Sequence, residues 1–230
     1  MSETHNTVFL FDVDNTLLDN DGVQSDLGQQ VLTIFGKNAH DRFWTIFDEQ
    51  RSKHNYVDYL GTLERFRLEY LDDVRALRLS AWFLDYPFAE RLYPDALAVV
   101  EHLRQWGLPV ILTDGDGVFQ PHKLVRAGMG TAFDGRVLNW VHKEKELDAV
   151  RHAYPASHYV MIDDKLRLLN AVKSVWGARV TTVFPKQGHY ANDPQILAGE
   201  KLADISVDRI ADVVALDFSA LQSVRPRGQP

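Results

Sequence analysis

No cysteine occurs among the 230 residues. Disulfides, thiolate metal sites and cysteine nucleophiles are therefore excluded, and the composition fits a reducing compartment. No stretch approaches the ~20 apolar residues that a membrane helix needs. Met1 to Thr7 is polar, and no apolar segment of signal-peptide length follows it. Basic runs are missing too, and the formal charge is -7, so broad attraction to nucleic acid or an anionic membrane is not expected. A cytoplasmic location, without nucleic-acid or membrane partners, is the resulting expectation. Hydrophobic residues make up 45% and charged residues 25%, ordinary values for a folded protein, and the length suits one large domain or a core with a smaller insert.

Val8 to Phe11 is a short, continuous apolar run that predicts a strand buried on both faces, with Asp12 at its carboxyl end. Asp19 to Gly22 reads as a turn. Helical periodicity then dominates for about 65 residues, in stripes such as Leu27, Val31, Phe35 and Leu60, Leu63, Phe66. Trp44, Tyr56 and Tyr59 are expected in the core of this unit. From Pro94 the pattern changes to alternating helices and strands. Strands are predicted at Val110–Thr113, Val137–Leu138, Tyr159–Ile162 and Val180–Phe184, with helices near 94–106, 143–152 and 166–176 and one carrying Lys123 and Leu124 that ends near Gly128. Such alternation implies a parallel sheet covered by helices. Arg225 to Pro230 reads as a loose tail.

In open parallel sheets, ligands bind beyond the carboxyl ends of the strands. Those ends carry Asp12 and Asp14, then Thr113 with Asp114, then Asp163 and Asp164, while Lys143 opens a later helix. Clustered carboxylates suit a hard cation such as magnesium, which shares oxygen ligands with phosphates. Thr113 and Lys143 suit the phosphate itself, with Lys145 and Lys123 as alternatives for the lysine. The backbone amides at Gly115 and Gly117 suit an anion cradle. A calcium loop is a rival for Asp12-x-Asp14-x-Thr16, but Leu17 and Val23 stand where its glycine and glutamate are required. His189 and Tyr190 follow the last predicted strand and are noted as neighbours of the site.

The segment Phe11 Asp12 Val13 Asp14 Asn15 Thr16 resembles the first motif, Asp-x-Asp-x-Thr, of the haloacid dehalogenase-like hydrolases. Thr113 in Ile111 to Asp114 resembles their second motif, Lys143 in His142 to Glu144 the third, and Met161 to Asp164 the fourth. The resemblance implies a Rossmann-like five-stranded parallel sheet flanked by helices, with residues 1–19 and 88–230 as an α/β core and 20–87 as a helical cap. It also implies a phosphatase of small phosphorylated metabolites: Asp12 as nucleophile through an aspartyl-phosphate, and Asp14 as acid and base. Thr113, Asp114 and Lys143 would lie at the phosphate. Magnesium would be held by Asp12, the Asp14 carbonyl and one or both of Asp163 and Asp164.

A phosphomutase would use the same residues. A receiver-type signalling domain also gathers aspartates, a threonine and a lysine on a five-stranded sheet, but it lacks the second aspartate of the first motif and any large helical insert. A haloacid dehalogenase is disfavoured, because by resemblance that branch lacks the equivalent of Asp14 and needs no magnesium.

Overall fold

Alternation along the first strand determines which layers the sheet can carry. In the computed structural model, which describes residues 5–54 and 56–222, β1 (His5–Phe11) sends Phe9 and Phe11 to one face, and Val8 and Leu10 to the other. All four side chains are fully buried, as expected of a parallel strand covered on both sides. Four helices follow, α1 (Asn20–Phe35), α2 (Lys37–His54), α3 (Tyr59–Glu69) and α4 (Val74–Leu84). The chain then enters α5 (Ala96–Leu103), β2 (Leu108–Asp114), α6 (Phe119–Arg126), α7 (Met129–Ala132) and β3 (Val137–Trp140). It continues through α8 (Leu147–Ala153), β4 (Ala156–Ile162), α9 (Leu166–Trp176) and β5 (Val180–Pro185). Short helices α10 (Gly188–Asn192) and α11 (Pro194–Leu197), strand β6 (Ile205–Val207) and helix α12 (Ser219–Gln222) complete it.

The strands pair in parallel in the order β3-β2-β1-β4-β5-β6. Strand order reverses at β1, with β2 on one side and β4 on the other, so the crevice expected at such a reversal opens beyond Phe11 and Ile162. One face packs on α8 and α9 through Leu147, Val150, Leu169 and Val172. The opposite face and the helices between β1 and β2 share a single apolar cluster. Its join is aromatic: Phe83 of α4 stacks on Phe119 of α6 at 5.1 Å, and Tyr59 of α3 meets both rings at 5.2 and 5.3 Å.

The sheet has six strands rather than the expected five. Ile205–Val207 is only three residues long, too short to show an alternation that could be read in advance. β1 begins at His5, earlier than its apolar run. The helix expected from Lys143 is broken: Lys143–Lys145 forms a 3₁₀ turn, and α8 starts only at Leu147. Pro94 does not open α5, because Asp95 takes a left-handed conformation (φ 61°) and the helix starts at Ala96. The tail at Arg225–Pro230 lies outside the described residues. Among the described residues, no helix is long and apolar enough to cross a membrane.

His158 lies buried in β4, with Nε2 2.9 Å from the Thr181 hydroxyl of β5. Burial, helped by the nearby Lys173 charge, lowers the imidazole pKa below 6.5, against a smaller opposing effect of Asp204. Because the folded ring binds a proton less readily than the unfolded one, the unfolded state takes up more protons once the pH falls below 6.5. The stability carried by the neutral ring is therefore complete above that pH and is lost on acidification. Thermal melts should show Tm falling as the pH drops from 7 through 6, and His158→Gln should flatten part of that slope. An unchanged slope in the variant would remove His158 as its origin.

Candidate active site

Four chain segments end at the crevice, and each delivers an acid or a cation. Asp12 follows β1 directly, its backbone N–H bonded to the Ile162 carbonyl at 2.9 Å. Asp163 and Asp164 follow β4, the backbone N–H of Asp163 reaching the Val183 carbonyl at 3.2 Å. The backbone thus continues sheet-like pairing one residue past the strands and holds the carboxylates at the rim. Thr16 ties the two turns together: its hydroxyl donates to Asp12 Oδ2 and accepts from the backbone N–H of Asp164, both at 3.1 Å.

Lys143 comes from the turn after β3. Its ammonium is buried, ion-paired with Asp12, 2.7 Å from Asp163 Oδ2 and 3.2 Å from the Leu112 carbonyl. Asp114 Oδ1 holds this turn in place by accepting the Lys143 backbone N–H at 2.8 Å. Of the three lysines considered from the sequence, Lys143 is therefore the one beside Asp12, while Lys145 is exposed. Lys123 is buried under the neighbouring acid, with Nζ 2.5 Å from Asp14 Oδ1. Thr113 is buried and accepts a bond from the Gln120 side chain at 2.9 Å. The amide of Gly115, expected in an anion cradle, instead donates to the Trp140 carbonyl at 2.9 Å. The backbone there extends strand pairing and leaves that N–H no free direction.

Burial would push the Asp12 carboxyl up, but the Lys143 and Lys165 charges and the hydrogen bonds from Lys143 and Thr16 hold it below its ordinary value. Burial pushes Asp163 up to about 6 and Asp164 well above the carboxylate range, against the opposing lysines. Burial also raises Asp114. Lys143 and Lys165 are both raised, the flanking aspartates overcoming the effect of burial.

Carboxylate oxygens of Asp12, Asp163 and Asp164 lie within 4.8 Å of one another, all three residues buried. Neither oxygen of Asp164 has a hydrogen-bond partner among the described residues, and the nearest cation, Lys165 Nζ, stands 4.0 Å away. A buried carboxylate without partners is costly. Three converging acids offering only oxygen are what a hard divalent cation binds, so the residues present fit magnesium. The Asp14 side chain is not one of this group.

Above the rim opens a cleft of about 460 Å³ between the sheet and the helices α1–α3. Its lining includes the polar side chains of Asp14, Asp114, Gln120 and Lys165 and the aromatic rings of Tyr56, Tyr59 and Phe119. Tyr56, expected in the core, is only half-buried and faces this space, whereas Tyr59 is buried as expected. His189 and Tyr190 do border the cleft: His189 bonds Asp21 through its backbone N–H and Nδ1, at 2.8 and 2.7 Å, and Tyr190 accepts from Arg51 at 2.9 Å. Sequence reasoning missed Lys165, whose ammonium lies 4.8 Å from the Tyr190 ring centre. Its signal was available, since it directly follows the paired acids at the end of a strand.

Residues 7–172 match the family model of the haloacid dehalogenase-like hydrolases. A protein of Burkholderia xenovorans LB400 assigned to the same group is 53% identical, over 92% of this chain and 96% of its own, with a TM-score of 0.85. L-2-haloacid dehalogenase from Xanthobacter autotrophicus is similar in fold at 17% identity, covering 90% of this chain and 96% of its own, with a TM-score of 0.58. YfnB from Bacillus subtilis, a HAD-hydrolase by assignment and seen bound to magnesium, is similar in fold at 15% identity, covering 93% and 98%, with a TM-score of 0.59. No curated protein sequence matches this chain. With the family model matched across both strand-end acid pairs and a relative sharing half its residues, the chain belongs to the haloacid dehalogenase-like hydrolase family.

Proposed function

We propose that this hydrolase is a magnesium-dependent phosphatase of small phosphate monoesters, with residues 20–87 acting as a cap over a core formed by 1–19 and 88–230. The observation that carries the reading is Asp164: a carboxylate with both oxygens buried and unbonded, beside Asp12 and Asp163. A second acid in the cleft, Asp14, supports this reading over the dehalogenase one.

Asp12, held ionised by Lys143, attacks phosphorus and forms an aspartyl-phosphate, dividing one difficult displacement into two easier ones. Asp14 donates a proton to the leaving oxygen, then takes one from the water that opens the intermediate. Lys123 positions Asp14 at the cleft through one of its carboxyl oxygens. Lys143, Lys165 and Thr113 surround the transferring group, and such positioning with electrostatic stabilisation is most of what phosphoryl transfer needs. Asp12, Asp163, Asp164 and the Asp14 carbonyl would hold magnesium, whose charge offsets the repulsion between an anionic nucleophile and an anionic phosphate. The substrate is a small phosphorylated metabolite, and neither nucleic acid nor membrane is part of the proposal.

Purified protein should hydrolyse an aryl phosphate in magnesium, with Asp12→Asn abolishing turnover at unchanged circular dichroism. Asp14→Asn should lower kcat by roughly 10²- to 10⁴-fold, the usual contribution of a positioned acid or base. Full activity in a chelator would sink the metal assignment. Independently of turnover, magnesium at one hundred times its Kd should add about 2.7 kcal/mol of stability. Asp164→Asn should raise the metal-free Tm, by removing a buried carboxyl whose ionisation burial opposes, and should abolish the magnesium increment. A variant still stabilised by magnesium to the same extent would remove Asp164 from the ligand set.

A further inference from the structure

The acids that line the cleft already have partners. Asp14 pairs with Lys123, and Asp114 takes the backbone N–H of Lys143. Asp116 accepts from the backbone N–H groups of Val118 and Phe119 at 2.8 and 2.6 Å, and Glu200 accepts from Asn170 at 2.8 Å. Glu144 faces His142 at 3.9 Å. The cations of the same cleft are in the opposite condition. Arg51, from the end of α2, donates to the Tyr190 hydroxyl and pairs with no carboxylate among the described residues. Arg167, in the first turn of α9, has neither a hydrogen bond nor an ion pair among them, and the Lys165 ammonium has no hydrogen-bond acceptor there. The donor capacity left open in the cleft is therefore cationic.

One tyrosine ring separates two of these charges. Lys165 lies over the face of Tyr190, beside Asp164, while Arg51 binds its hydroxyl. Lys165 thus belongs to the phosphoryl end, and Arg51 stands one ring width further out, towards α1–α3. The planar guanidinium presents five N–H donors in a fork that matches a carboxylate in two-point fashion. Tyr190 occupies one donor and orients the rest.

We propose that the substrate is a small phosphate monoester bearing a carboxylate a few carbons from phosphorus, the carboxylate being held by Arg51 with support from Arg167. This rests on the phosphatase reading above, and it adds the chemical class of the leaving group. The carbon chain between the two anions runs past Tyr56 and Val57, the apolar wall of the same cleft.

The test compares propyl phosphate with 3-phosphonooxypropanoate, which differ only in the carboxylate. Wild-type protein in magnesium should favour the carboxylated probe by about tenfold or more in kcat/KM, expressed chiefly in KM, as expected for a charge-assisted bond. Arg51→Gln should bring the ratio close to one, and Arg51→Lys should restore part of it. Titration calorimetry of both probes on Asp12→Asn should show the same order of affinity without turnover. Equal kcat/KM for the two probes, with propyl phosphate hydrolysed normally, would overturn the inference and leave the phosphatase reading intact. Failure to hydrolyse either probe counts against the phosphatase reading itself, and calorimetry then decides the carboxylate question, equal affinities overturning it.

Discussion

The buried ammonium of Lys143, set between Asp12 and Asp163, is the contact on which the organisation of the site depends. Two carboxylates brought this close in a low-dielectric interior repel each other, and neither would stay ionised unaided. Lys143 relieves that repulsion unequally. Asp12 also receives the Thr16 hydroxyl and ends below its ordinary pKa, whereas Asp163 is left raised. Two chemically identical groups on adjacent strands are thereby made different: one is held in its ionised form, and the other is pushed towards its neutral form. The turn that carries Lys143 is itself fixed by Asp114, so a residue of β2 governs the electrostatics of β1 and β4.

A second level of order lies in the way charges are neutralised from the floor of the cleft upwards. Lys123, buried in α6, pairs with one oxygen of Asp14, a residue that also lines the cleft. Further out, Asp21 fastens His189 and Arg51 fastens Tyr190, two links between the helices that precede β2 and the short helix α10 that follows β5. The aromatic join of Phe83, Phe119 and Tyr59 supports the same boundary from within the apolar cluster. The helices beside the cleft are therefore held through contacts of two kinds, one greasy and one polar.

Much of this was legible in the sequence, for identifiable reasons. A strand buried on both faces has to be a continuous apolar run, so Val8–Phe11 and Tyr159–Ile162 declared themselves, and acids placed directly after such runs had to stand at a rim. That Asp12 meets Asp163 and Asp164 was implied by their strand-end positions together with the family resemblance, since the adjacency of β1 and β4 leaves no periodic trace. Choosing among Lys123, Lys143 and Lys145 did not, because which lysine turns inward depends on the 3₁₀ turn at 143–145 and on the Asp114 anchor, neither of which leaves a periodic trace. The cradle expected at Gly115 failed for a related reason. Glycine allows the chain to curl, but β3 lies alongside and claims the N–H. β6 was missed because three residues show no period, and Lys165 because attention to the acids beside it hid a cation in the same turn.

The position of β1 at the centre of the sheet also bears on how the molecule assembles during synthesis. Val8 pairs with Leu108 on one side and with Tyr159 on the other, so this strand waits for partners made much later. Parallel pairings across such separations carry a loop-closure cost before any contact rewards them. The helices α1–α4, whose bonds are local, can form in the meantime, while Phe9 and Phe11 lack a surface to cover them. Both flanks of β1 are therefore closed only once the chain as far as Ile162 has been made and β4 is in place.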